Sequence, residues 1–256
     1  MILSRIARAL KDQNWLAVGI EFVIVVLGIV IGFQVNSWSE HQAAEARALT
    51  LTESLVADLR DEQWRIAATQ SYLYDVVTVG NQTLTVLEGR AELDDEQLVI
   101  GAFRSSQYYW SGIIRVTYDE IVATGAINLI RDGALREAAV EYFNSSSSSL
   151  LAEFESGPYR ETFRTLVDPA LHEALVRSCG EDISIAVGDF EALEAMLDFP
   201  CEIDGHDAAI TRAAALIRNS DVLIPYLRRR IIEAGQNASS IGYFKDLLEE
   251  GLINQP

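Results

Sequence analysis

Three features of this 256-residue sequence predict an all-α protein, with one N-terminal transmembrane helix continuing into an exported helical bundle. Residues 15–35 form a near-continuous apolar run long enough to cross a bilayer as one helix, and Glu21 is the single carboxylate inside it. From Ser39 to about Val79 neither proline nor glycine interrupts a pattern of apolar residues at three- and four-residue spacing. No long run alternates with a period of two, and nothing repeats at a fixed period.

The apolar run is predicted to be an uncleaved anchor. It exceeds the roughly 7–15 residues of a signal-peptide hydrophobic region, and the small-x-small triplet Ala44-Glu-Ala46 lies about ten residues beyond its end, too far for cleavage. A helix apolar on all sides for this length fits lipid better than a protein core. Trp15 and Trp38 stand at its two ends, where interfacial aromatic anchors belong. Arg5, Arg8 and Lys11 precede the run, whereas Glu40 and Glu45 outnumber Arg47 just after it, so the N-terminus is predicted to be cytoplasmic. The expected organisation is a cytoplasmic segment 1–14, a transmembrane helix 15–37 and an exported domain 38–256.

Charge follows the same division. Those three cations against Asp12 and Glu21 give residues 1–38 a net +1, which leaves −19 of the chain's −18 on the remainder. So acidic a domain excludes nucleic acid as a partner, because phosphate contacts need clustered cations. The one compact basic cluster, Arg228-Arg229-Arg230, is expected to be a solvated helix face.

In the first exported helix, Val56, Leu59, Ile66, Leu73 and Val77 form a stripe that also contains Gln63 and Gln70. These glutamines suit a multi-helix bundle better than a two-stranded coiled coil. Thr117-Tyr-Asp-Glu120 has capping-box spacing and predicts a short helix ending near Gly125; Pro158 sits where a first-turn proline would. Leu135, Ala139, Tyr142, Leu150 and Phe154 share one helical phase, so the serine run 145–149 is expected to lie inside a continuous helix over about 133–156. Ile210, Ala214 and Ile217 mark a helix before Asp221. Tyr226, Leu227, Ile231 and Ile232 mark the next, and Ile241, Phe244, Leu247 and Leu248 a final one. The expected result is six to eight helices around one core.

Cys179 and Cys201 both fall in the exported part and would close a loop of about twenty residues. In an oxidising compartment they are expected to form a disulfide.

The segment Gly19-Ile-Glu-Phe-Val-Ile-Val-Val-Leu-Gly-Ile-Val-Ile-Gly-Phe-Gln-Val-Asn-Ser-Trp38 resembles the N-terminal helix of a group of uncharacterised bacterial single-pass membrane proteins. That helix also carries an early glutamate and ends near a Gln/Asn/Trp cluster. Thr117-Tyr-Asp-Glu-Ile-Val-Ala-Thr-Gly-Ala-Ile-Asn-Leu-Ile-Arg-Asp-Gly-Ala-Leu-Arg136, followed by Tyr142-Phe143, is similar to the group's Thr-Tyr-Glu-x-Leu-x-x-x-Gly-x-x-x-Leu-Ile segment. Phe22 and Ile121 replace other aliphatics of the group's pattern. The two segments cover about 40 of 256 residues. The resemblance implies a membrane-anchored helical protein of the bacterial inner membrane with its C-terminal domain in the periplasm, and no particular activity.

Glu21 is the chemically unusual position, since an ionised carboxylate in hydrocarbon costs several kcal/mol. Helical spacing places Glu21, Val25, Gly28 and Gly32 within about 20° of one line, and Gly28 and Gly32 form a small-xxx-small pair that admits a second helix. This stripe is the predicted helix–helix interface, with the partner either a second copy or another integral membrane protein in the surrounding lipid. The histidines are His41, His172 and His206. Cys201-Glu-Ile-Asp-Gly-His-Asp207 gathers metal-ligating residue types without the spacing of a zinc or calcium loop, so no metal, cofactor or catalytic residues are expected. Tyr108, Tyr109, Trp110 and Tyr118 are expected to pack in the core. The function this sequence suggests is a non-enzymatic structural or accessory subunit. The alternative is an exported ligand-binding sensor that signals through a partner, and an enzyme using residues 201–207 ranks third.

Overall fold

A computed structural model describes residues 15–109, 112–146, 154, 157–180, 185–193, 196–197 and 199–255. Among the described residues the fold is all-α, with eight α-helices and no strand. The chain divides into two compact units, Met1–Leu51 and Thr52–Pro256.

Helix α1 is Trp15–Leu87, and its first part lies in the first unit. There it is long and apolar enough to cross a membrane: an 18-residue window reaches a mean hydropathy of 2.5 with none of it buried by the rest of the protein. Phe22, Leu27, Ile31 and Phe33 are all exposed. A soluble-core helix would hide such side chains, and this one does not.

In the second unit, residues 52–87 of α1 are followed by α2 (Asp95–Ser105), α3 (Val116–Ala123), α4 (Gly133–Phe143), α5 (Pro158–Leu166), α6 (Pro169–Cys179), α7 (Asp207–Arg218) and α8 (Leu223–Leu252). Local chemistry sets several of the starts. Asp94 caps α2 by accepting from the Gln97 amide at 2.8 Å, and Asp132 caps α4 through the Ala134 and Leu135 amides. Asp168 does the same for α6 ahead of Pro169, and Pro158 opens α5. Helix α4 packs along α8, while α2 packs on α6 and α7. The main core joins Leu98, Phe103, Phe163, Leu171, Ile217 and Leu227 among others, and a smaller cluster surrounds Trp64.

Several sequence expectations need correction. Thr117 is not a cap: α3 begins one residue earlier, at Val116, and its N-cap position is Arg115 with no capping side chain. Helix α4 stops at Phe143, where the Asn144 side chain donates to the Val140 carbonyl at 2.7 Å. A continuous helix through the serine run is therefore excluded at its start, while residues 147–153 lie outside the described ones. The two expected C-terminal helices are one, because Gly235 and Gly242 stay helical inside α8. Likewise α1 continues through Gly80, which packs against Ile231: a Cβ built on Gly80 would lie 2.8 Å from the Ile231 Cγ1.

Candidate functional site

In the first unit, Glu21, Val25, Gly28 and Gly32 are exposed along α1, and a Cβ at either glycine would meet nothing within 4 Å. The face is open, and it juxtaposes a carboxylate with two glycines on a span otherwise covered by large aliphatics.

In the second unit the sulfurs of Cys179 and Cys201 lie 2.24 Å apart, with the Cα atoms at 5.2 Å, linking the last residue of α6 to the segment before α7. That segment is tied again by the Ile203 amide, which donates to Glu96 of α2 at 2.7 Å. His206 occupies the N-cap position of α7. Among the described residues no three histidines, cysteines or acids converge as a metal-ligating group.

The three described aromatic residues of this group each pack on a different ring. Tyr109 packs on Tyr72 at 5.7 Å between ring centroids, Tyr108 on Phe154 at 6.1 Å, and Tyr118 stacks on Phe143 at 4.6 Å. Trp110 lies outside the described residues.

Three polar features were not anticipated. Glu62 of α1 is buried, 1% exposed, and accepts hydrogen bonds from the Tyr142 hydroxyl at 2.5 Å and the Ile114 amide at 3.1 Å. Burial raises its carboxyl above the ordinary range despite these donors and Arg65 nearby. Its place between Leu59 and Ile66 on the apolar stripe was the available signal.

Arg230 is the second, and it corrects the solvated-face reading of the basic cluster. Arg228 and Arg229 are exposed and pair with Glu88 and Glu233, but Arg230 points inward, 2% exposed. Its guanidinium donates to the carbonyls of Phe154, at 2.8 Å, and Gln107, and stacks on the Phe154 ring at 3.6 Å. Burial first, then the charge of Arg160, lowers its pKa to about 10, so it remains a cation at neutral pH.

The third is a pocket of about 300 Å³ between the C-terminal end of α2 and helices α5 and α6. Tyr108 and Val176 line it on one side with the buried Phe103 behind, and Arg160, Arg164 and His172 contribute polar groups. The His172 ring stands edge-on to Phe103, 6.0 Å between centroids at 84°. Its pKa is lowered by partial burial and then by Arg164 and Arg160. The spacing Arg160-x-x-x-Arg164, one helical turn on an acidic chain, was the legible sign of this site.

No family model matches the chain, and no solved structure matches it. A probable cadmium-transporting ATPase of Staphylococcus aureus is 26% identical over 127 residues, 49% of this chain. The match covers 16% of that ATPase's length.

Proposed function

We propose that this protein is a non-enzymatic accessory subunit of a membrane assembly, anchored by the first part of α1 and joined to another transmembrane helix through Glu21, Val25, Gly28 and Gly32. One observation carries the reading: the protein buries none of the apolar window of α1, so lipid and a neighbouring membrane helix are what can cover it. Glycines at 28 and 32 let a second backbone approach closely, and a close partner helix takes Glu21 out of hydrocarbon. The resemblance to bacterial single-pass proteins supports the inner membrane as the location. Arg5, Arg8 and Lys11 before the span, and the paired cysteines after it, support a cytoplasmic N-terminus and a periplasmic domain.

The test is the native mass and subunit composition of the full-length protein extracted in mild detergent from its own membranes. A discrete multiple of 28.3 kDa means a homo-oligomer, and stoichiometric foreign subunits mean a mixed assembly. A lone monomer overturns the proposal.

A further inference from the structure

We infer that residues 185–197, between α6 and α7, are a displaceable strap that fills a peptide-binding face of α1 from within the same chain, and that the same segment of a second copy can take its place. Helical geometry sets the face. Trp64, Ser71 and Asp75 lie within about 20° of one line along α1, with Ala67 and Ala68 beside them. All three reach main chain of the strap. The Trp64 indole N–H donates to the Asp189 carbonyl at 3.1 Å, the Ser71 hydroxyl donates to the Leu193 carbonyl, and the Asp75 carboxylate accepts from the Leu197 amide at 2.9 Å. The strap meets α1 at intervals of four residues, so the two run in one register. Leu193 packs on Trp64, Ala67 and Ala68 with Ile185 and Met196 beside it, and Leu197 is fully buried.

Peptide grooves work in this way: main-chain hydrogen bonds hold the segment, and pockets for a few side chains, here two leucines four residues apart, select it. The strap itself is lightly built. Among its described residues it has a single 3-10 turn, Glu191–Leu193, and the side chains of Val187 and Phe190 are exposed to solvent. Such a segment belongs to the low-stability end of a fold and opens before the helices do. Its downstream end is fixed. Arg104 of α2 donates to the Phe199 carbonyl at 2.7 Å and stacks on the Phe199 ring at 4.4 Å, and Cys201 is bonded to Cys179 at the end of α6. Opening is therefore a tethered lift, after which the strap competes for its own face at high effective concentration.

A second copy is the occupant this sequence supplies, because its strap carries the same leucines in the same register. The inference rests on the assembly proposed above only for bringing two copies together. It has a signature that a merely structural loop lacks. The closed strap lowers the apparent affinity for a peptide from outside by the fraction of molecules that are open. Weakening the strap while leaving the face intact therefore raises that affinity, whereas damage to a structural loop creates no binding at all.

The experiment uses the full-length protein in mild detergent, with a fluorescein-labelled synthetic peptide of residues 185–199 as probe. Leu193→Asp puts a charge where Leu193 is buried and leaves Trp64, Ser71 and Asp75 in place. With native helix content by circular dichroism, this variant is expected to bind the peptide about tenfold more tightly than the wild type. Adding Ala68→Leu, which fills the floor on which Leu193 rests, should remove the gain. Hydrogen exchange of the wild type needs no variant: amides of 185–197 should exchange about tenfold faster than those of residues 64–75 of α1. Three outcomes each overturn the inference: a folded Leu193→Asp variant that binds no better than the wild type, a gain that survives Ala68→Leu, or strap amides that exchange at the rate of α1. Peptide binding by a protein of monomeric native mass upholds the strap and removes the assembly, and a native oligomer without peptide binding does the reverse.

Discussion

The phenol of Tyr142 on α4 donates to the carboxylate of Glu62 on α1 across 2.5 Å, in a setting where both side chains are buried. The Tyr142 pKa is driven upward by burial and by Glu62's negative charge, so the hydroxyl keeps its proton and acts only as donor. Removing that donor with Tyr142→Phe leaves a buried carboxylate short of a partner, and is expected to cost about 2 kcal/mol. For a chain of this size the melting temperature in detergent should fall by about 5 °C. An unchanged melting temperature would mean that the pair contributes nothing.

Glu62 also predicts a pH dependence with a defined sign. Its folded pKa lies above the ordinary 4.5, so the folded state holds its proton more tightly than the unfolded one. The stability linked to Glu62 is present below that ordinary value and is lost as the pH rises through the raised one. Glu62→Gln abolishes the titration. As the pH rises above the ordinary 4.5, melting temperatures should therefore decline less steeply in the variant than in the wild type. Parallel curves would exclude Glu62 as their source.

Cys179 and Cys201 close a loop with a sequence separation of 22, for which loop entropy predicts about 3 kcal/mol of stabilisation. Protein taken from membranes should react with a thiol reagent only after reduction, and Cys201→Ser should melt several degrees lower. Labelling before reduction would place the domain on the reducing side of the membrane.

Two glycines of α8 make opposite predictions. A Cβ at Gly251 would sit 2.5 Å from the Ala138 Cβ and 3.5 Å from the Ala134 carbonyl oxygen, so α4 and α8 would have to move apart. Gly251→Ala is expected to cost about 2 kcal/mol. At Gly235 the nearest atom is a Val77 methyl at 3.9 Å, an ordinary contact, so Gly235→Ala should gain up to about 1 kcal/mol from helix propensity. Thermal melts of both variants check the pair.

The open stripe of α1 gives the last prediction. Gly28→Leu and Gly32→Leu add bulk where nothing stands within 4 Å in the isolated chain, so monomer stability and insertion are unaffected. Only association should suffer, read as a smaller native mass. Assembly retained in both variants removes the stripe as the contact.

The helices were legible where burial and periodicity agree. Leu59, Ile66 and Leu73, each at most 2% exposed, were marked by spacing alone, as were Ile210, Ala214 and Ile217. Element ends were less legible, because glycine has two uses that composition cannot separate. Gly125 takes a positive φ of 73° after α3 and does end a helix, whereas Gly80 and Gly251 are mid-helix or last-turn positions where a neighbouring chain comes close. The site was the least legible part. Arg160, Arg164 and His172 come from two helices, and nothing local in either says that the other is adjacent. Arg230 was misread for a related reason: three consecutive arginines span most of a helical turn, so one of them had to leave the face shared by its neighbours.

Arg230 also determines how the domain comes apart. Its guanidinium is held by carbonyls at positions 107 and 154, so three stretches spread over 123 residues meet at one cation. Withdrawing either carbonyl alone would strand a desolvated charge, at a cost of several kcal/mol. Each of the three stretches is thereby penalised for leaving without the others, and openings of these segments are concerted. Amides of α2 and α8 near this junction should exchange with solvent at one common rate, as a single cooperative unit rather than as independently fraying helices.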